Sequence, residues 1–236
     1  MCHNNAVNAL PEPASWQDRE SNGVIHRHYA AKVAGSDKRL AIITDIYGCN
    51  LFYQSFATYF AEQGWNVELI DLFSELGELK EVTREAAFER RHKLRDGEAC
   101  DRLQRFIAEQ EIAAVIGFCL GGNYVFELAK RGVDIKLVTY YPFPAGLQNQ
   151  DPLETPLDYL AQLNQPVTVL VGDADDSAGR DNIAQLAQIT SANASLDVHV
   201  YAGSGHGFLT QLDSEDEDLR TNAEQSLAVC VKAISI

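Results

Sequence analysis

The sequence predicts an α/β fold: a mostly parallel, twisted sheet with helices on both faces. Three observations carry that expectation. From residue 40 onwards, short strand-type runs alternate with helix-type segments, which is the signature of right-handed strand–helix–strand crossovers. The runs Leu40–Ile46 and Ile112–Phe118 are almost continuously apolar, as strands covered on both faces are. No internal repeat and no shift of composition marks a linker, so residues 24–236 read as one domain after an irregular lead-in over 1–23.

Composition narrows the function classes. The 236 residues are 46% hydrophobic and 22% charged, an ordinary balance with ample material for a core. Lys and Arg number 19 against 34 Asp and Glu, a net charge of −15. That field repels phosphate backbones and anionic lipid, so neither nucleic acid nor a membrane is an expected partner. No run approaches the roughly 20 apolar residues of a membrane span. The start, Met1-Cys2-His3-Asn4-Asn5, lacks the apolar stretch of a secretory signal. The five cysteines are scattered, with no C-x-x-C pair. Reduced thiols in the cytoplasm are therefore expected.

Taken in order, Pro11, Pro13 and Gly23 punctuate the lead-in. Val24 to Val33 alternates loosely and predicts an early strand, with His26 and His28 on one face. Two histidines without further ligands read as a solvated face rather than a metal site. Leu40–Ile46 is the second strand. A loop, Tyr47-Gly48-Cys49-Asn50, follows it, and Asn50 can cap a helix carrying Leu51, Phe52, Phe56, Tyr59 and Phe60. Gly64 ends that helix, and Trp65–Ile70 is a strand closing on Asp71. Thr83–Gln110 is charged and helical with a break at Gly97, its arginines (Arg84, Arg90, Arg91, Arg95) placed mostly on solvated faces. Later strands are expected at Ile135–Tyr140, Val167–Val171 and Leu196–Tyr201. Helical pieces are expected near Leu157–Leu163, Asp181–Ile189 and Ser214–Ala233.

The chemistry concentrates where strands end. Ile112–Phe118 stops at Cys119, and Gly121-Gly122 lead into a helix-type run, Tyr124–Lys130. Strand, one residue, glycines and helix form the layout of a nucleophile elbow, G-x-S-x-G, with sulfur in place of oxygen. Gly117 and Gly121 stand two residues either side of the thiol, where strand and helix nearly touch and only small residues fit. The following helix points its N-terminal N–H groups at the sulfur, which favours thiolate over an inert buried thiol. Asp175 lies in the turn Gly172–Asp176 just past Val171, with Asp176 in reserve, and His206 sits between Gly205 and Gly207 after the last strand. The order nucleophile, acid, histidine is that of the α/β-hydrolase fold. The Asp173–Ser177 turn is not a calcium loop, because Ala178 and Ala184 stand where Gly and Glu would be needed.

Gly-Phe-Cys119-Leu-Gly-Gly, with Asp175 and Gly-His206-Gly-Phe208, resembles the dienelactone hydrolase (carboxymethylenebutenolidase) family from about residue 24 to the C-terminus. The resemblance implies an ester or lactone hydrolase with a Cys119-Asp175-His206 triad, working through a thioester and needing no metal or organic cofactor. It implies backbone N–H groups of Leu120 and Ile46 as the oxyanion hole, and Tyr47 and Phe208 as pocket residues. Asp45 stands where the family usually has Glu, a carboxylate that gates thiol ionisation. Family members that take dienelactone grip its carboxylate with two arginines, one of them four residues after the histidine. Thr210 occupies that place here, and the resemblance does not fix which of Arg84, Arg90, Arg91 or Arg95 supplies the other. The expected partner is a small-molecule ester or lactone, acting on a monomer or homodimer. Acyl transfer to another acceptor, a non-catalytic scaffold that only binds, and redox sensing through a Cys49–Cys119 link are the competing readings.

Overall fold

The computed structural model describes residues 7–235. Among them, eight strands form one sheet in the order β1-β2-β4-β3-β5-β6-β7-β8. They are β1 (Gln17–Ser21), β2 (Val24–Tyr29), β3 (Arg39–Ile43), β4 (Asn66–Ile70), β5 (Ala114–Phe118), β6 (Lys136–Tyr140), β7 (Val167–Gly172) and β8 (Leu196–Tyr201). β1 and β2 pair antiparallel, β2 is antiparallel to β4, and every pairing from β4 to β8 is parallel. The helices are α1 (Leu51–Glu62), α2 (Arg84–Lys93), α3 (Asp96–Glu109), α4 (Leu120–Lys130), α5 (Pro156–Tyr159), α6 (Arg180–Thr190) and α7 (Glu217–Ile234).

Alternation along each strand divides the core in two. Ala41, Ile43 and Val115 face α3, α4 and α6 through Leu103, Phe106, Val125, Leu128 and Leu186. Leu40, Ile42, Ile116 and Phe118 face α1 and α7 through Phe52, Phe56, Phe60, Cys230 and Ile234. The central strands are thus covered on both sides, which is why their sequences are almost wholly apolar. Asn50 caps α1 as expected, its side chain accepting from the Tyr53 N–H.

Three expectations need correction. The lead-in is not irregular throughout, because Gln17–Ser21 pairs with β2 as an edge strand. Gln17, Asp18, Arg19 and Glu20 are exposed, so no apolar periodicity betrays them. The signal was Asn22-Gly23, both with positive φ, a dipeptide suited to a two-residue hairpin. Residues 1–6 of the lead-in, including Met1 to Asn5, lie outside the described residues. The break in the charged helical stretch falls at Leu94–Arg95, where the backbone turns extended, and Gly97 lies inside α3.

The third correction concerns His26 and His28, which do not lie on a solvated face: they are 2% and 8% exposed. His28 sits across from Glu68 in the β2–β4 register and their side chains meet at 2.9 Å. His26 Nε2 lies 3.3 Å from the other Glu68 oxygen, and its ring meets Phe106 of α3 edge-on. A fully buried glutamate here requires polar neighbours, which His28 supplies by its hydrogen bond and Arg39 by a guanidinium 3.8 Å away.

Candidate active site

The site is assembled at the carboxyl ends of β3, β5, β7 and β8, where open α/β sheets place their ligands. Cys119 follows β5 with φ 54° and ψ −113°, a backbone conformation that costs a non-glycine residue on the order of 1–3 kcal/mol. The turn is held by the Cys119 N–H donating to Tyr140 O (3.0 Å) and the Gly121 N–H donating to Thr44 O (3.2 Å). A side chain at Gly117 would collide with the Gly121 carbonyl, and one at Gly121 with the Ile43 carbonyl. Those two glycines let β5, α4 and the end of β3 approach closely enough to hold the strain. Cys119 caps α4 and is 3% exposed.

Asp175 lies in the turn after β7 and is completely buried. One of its oxygens accepts the Ser177 and Ala178 N–H groups at 2.9 Å each. The other meets His206 Nδ1 at 2.8 Å. A carboxylate so held has a fixed orientation, and it fixes the imidazole in turn. A side chain at Gly172 would overlap the Ser204 carbonyl, so this glycine is what lets the acid turn and the histidine loop touch. Asp176, by contrast, points to solvent and pairs with Arg180 at 2.7 Å, which removes it as an alternative acid. The His206 ring lies 5.2 Å from both Tyr141 and Phe143, and Gly207 beside it is left-handed at φ 77°.

A cavity of about 580 Å³ opens over these groups, with Cys119, His206, Ile46 and Tyr47 in its wall. Arg84, Phe88, Arg91 and His92 of α2 close one side, and Phe143 to Gln148 with Ser177, Ala178 and Asn182 close the rest. Among the described residues no Asp or Glu lines it, in a chain where acidic residues outnumber basic ones. Asn123 of α4 pins the far wall by exchanging two hydrogen bonds with the Phe143 backbone (2.8 and 2.9 Å).

The loop after β3 contributes the rest. Asp45 is fully buried and its carboxylate accepts the Tyr47 N–H at 2.8 Å. Arg90 donates to the Ile46 carbonyl (3.0 Å) and to Gly77 O (3.1 Å) while its guanidinium lies 4.1 Å from the Phe73 ring. It therefore fixes the segment that carries the Ile46 N–H.

Phe208 is not a pocket residue: it is 2% exposed, outside the cavity wall, and packs among Tyr140, Tyr141 and Tyr201. Thr210 is also outside that wall and donates its hydroxyl to Gly207 O. The four arginines do not share one solvated face. Arg95 is exposed and pairs with Glu98, Arg84 is exposed at the cavity edge, and Arg90 and Arg91 are buried. Arg84, Phe88 and Arg91 stand at i, i+4 and i+7, one face of a helix. That spacing was the available signal, and the charge density of α2 hid it. Cys49 donates its S–H to Ile70 O and burial pushes its thiol upward, which speaks against a redox partner for Cys119.

The signature of the Dienelactone hydrolase family matches residues 27–232, a span that contains every group just described. The chain is a member of the dienelactone hydrolase family. This dienelactone hydrolase family member is 46% identical over 230 residues to carboxymethylenebutenolidase 2 of Cupriavidus pinatubonensis, covering 97% of both chains. It is 32% identical to the carboxymethylenebutenolidase of Rhodococcus opacus, covering 96% of this chain and 93% of that one. A Klebsiella pneumoniae structure provisionally assigned as a dienelactone hydrolase shares the fold at a TM-score of 0.75 and 21% identity, covering 91% of this chain and 96% of that one. It is therefore a hydrolase acting on ester or lactone bonds. Among the described residues, no helix is long and apolar enough to cross a membrane.

Proposed function

We propose that this hydrolase opens small lactones and activated esters by covalent catalysis at Cys119, with His206 as general base and acid and Asp175 as its orienting partner. The observation that carries the reading is the joint placement of a strained, elbow-borne thiol and a carboxylate-bound imidazole in the wall of one cavity. His206 Nδ1 is committed to Asp175, so Nε2 is the nitrogen left to exchange protons with sulfur and substrate.

The steps follow from those positions. His206 removes the Cys119 proton, and the thiolate attacks the carbonyl carbon, forming a C–S bond and pushing the carbonyl electrons onto oxygen. The Leu120 N–H, at the first turn of α4, and the Ile46 N–H donate hydrogen bonds to that oxyanion; the α4 dipole reinforces the first donor. Collapse breaks the C–O bond, and His206 gives its proton to the departing oxygen. In a lactone that oxygen stays tethered, now as an enol or alcohol. His206 then takes a proton from water as the water oxygen attacks the thioester carbonyl; the C–S bond breaks, His206 returns the proton to sulfur, and the product acid leaves with the thiol restored. Asp45, beside the elbow strand, gates the ionisation of Cys119, and Tyr47 lines the substrate's path. Esters and strained lactones suit a thiolate better than amides do, because the amide leaving group is harder to expel.

The relatives in Cupriavidus and Rhodococcus are named for carboxymethylenebutenolide, and an anionic lactone of that class fits a cavity whose ionisable lining is Tyr47, Arg84, Arg91, His92, Cys119 and His206. Free thiols at Cys49, Cys100 and Cys230 support a cytoplasmic setting. The deciding experiment is the initial rate on an activated aryl ester, wild type beside Cys119→Ala, with circular dichroism to verify the fold. A drop of at least 10³-fold is expected from losing a nucleophile. A folded mutant that keeps its rate overturns the reading.

A further inference from the structure

The sheet has two edges, and they are built differently. Among the described residues, β1 and β8 each pair with one neighbour only. The Asp71 N–H donates to the Ile25 carbonyl (2.9 Å), so Ile25 and Arg27 of β2 turn their backbone groups to β4. Val24, His26 and His28 therefore turn theirs to β1, where they stand opposite Ser21, Arg19 and Gln17. That leaves Asp18 and Glu20 with the outward-facing backbone groups of β1. A second β1 pairing antiparallel along both of them sets carboxylate against carboxylate, which keeps that edge single. β8 has the reverse character. The Ser195 carbonyl accepts the Val167 N–H (2.9 Å), and the Tyr201 carbonyl accepts the Asp173 N–H (3.2 Å). Ser195, Asp197, His199 and Tyr201 thus face β7 with their backbone groups, and Leu196, Val198 and Val200 face outward. The Leu196 N–H is taken by the Asn193 carbonyl; the other outward groups form a template for a further strand. None of these residues is charged. Leu196 and Val198 pack on the α6 side of the sheet, and Val200, on the same face, is 45% exposed. Asp197 and His199 lie on the opposite face, 3.1 Å apart.

We propose that β8 is a homodimer contact, pairing antiparallel with β8 of a second copy about a two-fold axis through Val198. Two independent conditions select this register. Outward backbone groups must meet outward groups, so Val198 stands opposite the partner's Val198 and Leu196 opposite the partner's Val200. The charged face must agree as well, and here Asp197 falls directly opposite the partner's His199 on both sides of the axis. Sliding one strand by two residues keeps the backbone match but breaks the second condition. It sets Asp197 against the partner's Asp197, or His199 against the partner's His199. In the centred register Val200, exposed on a single copy, is covered beside the partner's Leu196. The sheet then runs unbroken through both copies. Because the strands are antiparallel across the axis, the two cavities open on opposite edges of that sheet, so the contact does not depend on the chemistry at Cys119. The opposing influence is the net charge of −15 on each copy, so association is expected to tighten as salt screens it.

The test is sedimentation velocity of the full chain in 300 mM sodium chloride, from about 1 to 100 µM protein. A shift from monomer to dimer with rising concentration is expected. Val198→Pro removes the outward N–H at the axis and no bond to β7, and is expected to raise the dimer dissociation constant at least about 10-fold. His199→Asp sets like charges opposite each other and is expected to raise it at least about fivefold. The double variant Asp197→Lys with His199→Asp restores opposite signs in the same register and is expected to recover most of that loss. Such recovery guards against a proline variant that fails to fold, and circular dichroism verifies each protein. A wild type that stays monomeric throughout would overturn the proposal. So would a dimer unmoved by Val198→Pro, which would mean that the copies meet on another surface, or a double variant no better than His199→Asp.

Discussion

At the scale of single residues, the site depends on which groups are held and which are left able to act. Asp175 illustrates the first: both oxygens are spoken for, by two backbone N–H groups and by His206. Its neighbour Asp176 makes only an exposed pair with Arg180, the kind that contributes little. Asp175→Asn should therefore lower kcat by about 10³- to 10⁴-fold, because an amide at this position favours the wrong imidazole tautomer. Asp176→Asn should leave kcat within about twofold. Steady-state kinetics on one ester checks both, and equal losses in the two variants would contradict the assignment. Most of this was legible beforehand, since a nucleophile, an acid and a histidine stood in order at strand ends. Phe208 was misjudged because adjacency to the histidine says nothing of direction, and its ring turns into the tyrosine cluster behind the site. Arg90 and Arg91 were misjudged because a run of charge on a helix ordinarily faces water. Only a buried partner reveals that it does not: the Ile46 carbonyl, distant in sequence, for Arg90, and Asp96, just past the Leu94–Arg95 break, for Arg91.

Elements show the same division between local and tertiary information. β8 runs Leu196–Tyr201 as its alternation predicts, and the central strands end within a residue or two of their apolar runs except β3, which stops at Ile43, three residues short of Ile46. β1 escaped because an edge strand exposed along most of its length has no hydrophobic face to declare it, leaving only the Asn22-Gly23 turn. Beside it, the β2–β4 pair buries His26, His28 and Glu68. Burial is the largest influence on His26 and lowers its pKa from the ordinary 6.5, outweighing the attraction of Glu68; Arg19 and His28 push the same way as burial. The unfolded chain therefore binds the proton more readily than the folded one. The neutral imidazole's contribution is present above pH 6.5 and is lost as pH falls through the lower folded value. Urea unfolding midpoints should thus decline from pH 7.5 to pH 5 in the wild type, and decline less in His26→Gln. An identical decline in both proteins would show that other groups set the acid limit.

For the whole molecule, the governing facts are charge and sheet order. A net charge of −15 makes the folded surface repel itself, and screening relieves that at a Debye length of about 10 Å in 0.1 M salt. The melting temperature should rise on going from 10 mM to 300 mM sodium chloride, by differential scanning calorimetry. A fall would mean that exposed pairs such as Arg131–Asp101 outweigh the net repulsion. Against that field the cavity presents arginines and histidines without a carboxylate, so the potential inside it is set locally rather than by the global charge. The sheet order places the ends of β3, β5, β7 and β8 around one opening. The α/β class and the order of the strands from β2 onward could be anticipated from periodicity and turn residues, and so could the strand-end positions of Cys119, Asp175 and His206. The cavity's walls were harder to read, because the i, i+4, i+7 spacing of Arg84, Phe88 and Arg91 in α2 is hidden by that helix's charge and the Phe143–Gln148 loop has no period.

If Cys119 carries the acyl group, that group can be trapped on it. The enzyme is mixed with an activated ester of a slowly hydrolysed acid, quenched in acid within the first turnovers, and its peptides weighed by mass spectrometry. The expected result is a mass increase equal to the acyl group on the peptide containing Cys119, labile to hydroxylamine as a thioester is, and absent from Cys119→Ala. An adduct on a different residue during turnover, or turnover undiminished in the folded Cys119→Ala protein, would contradict it.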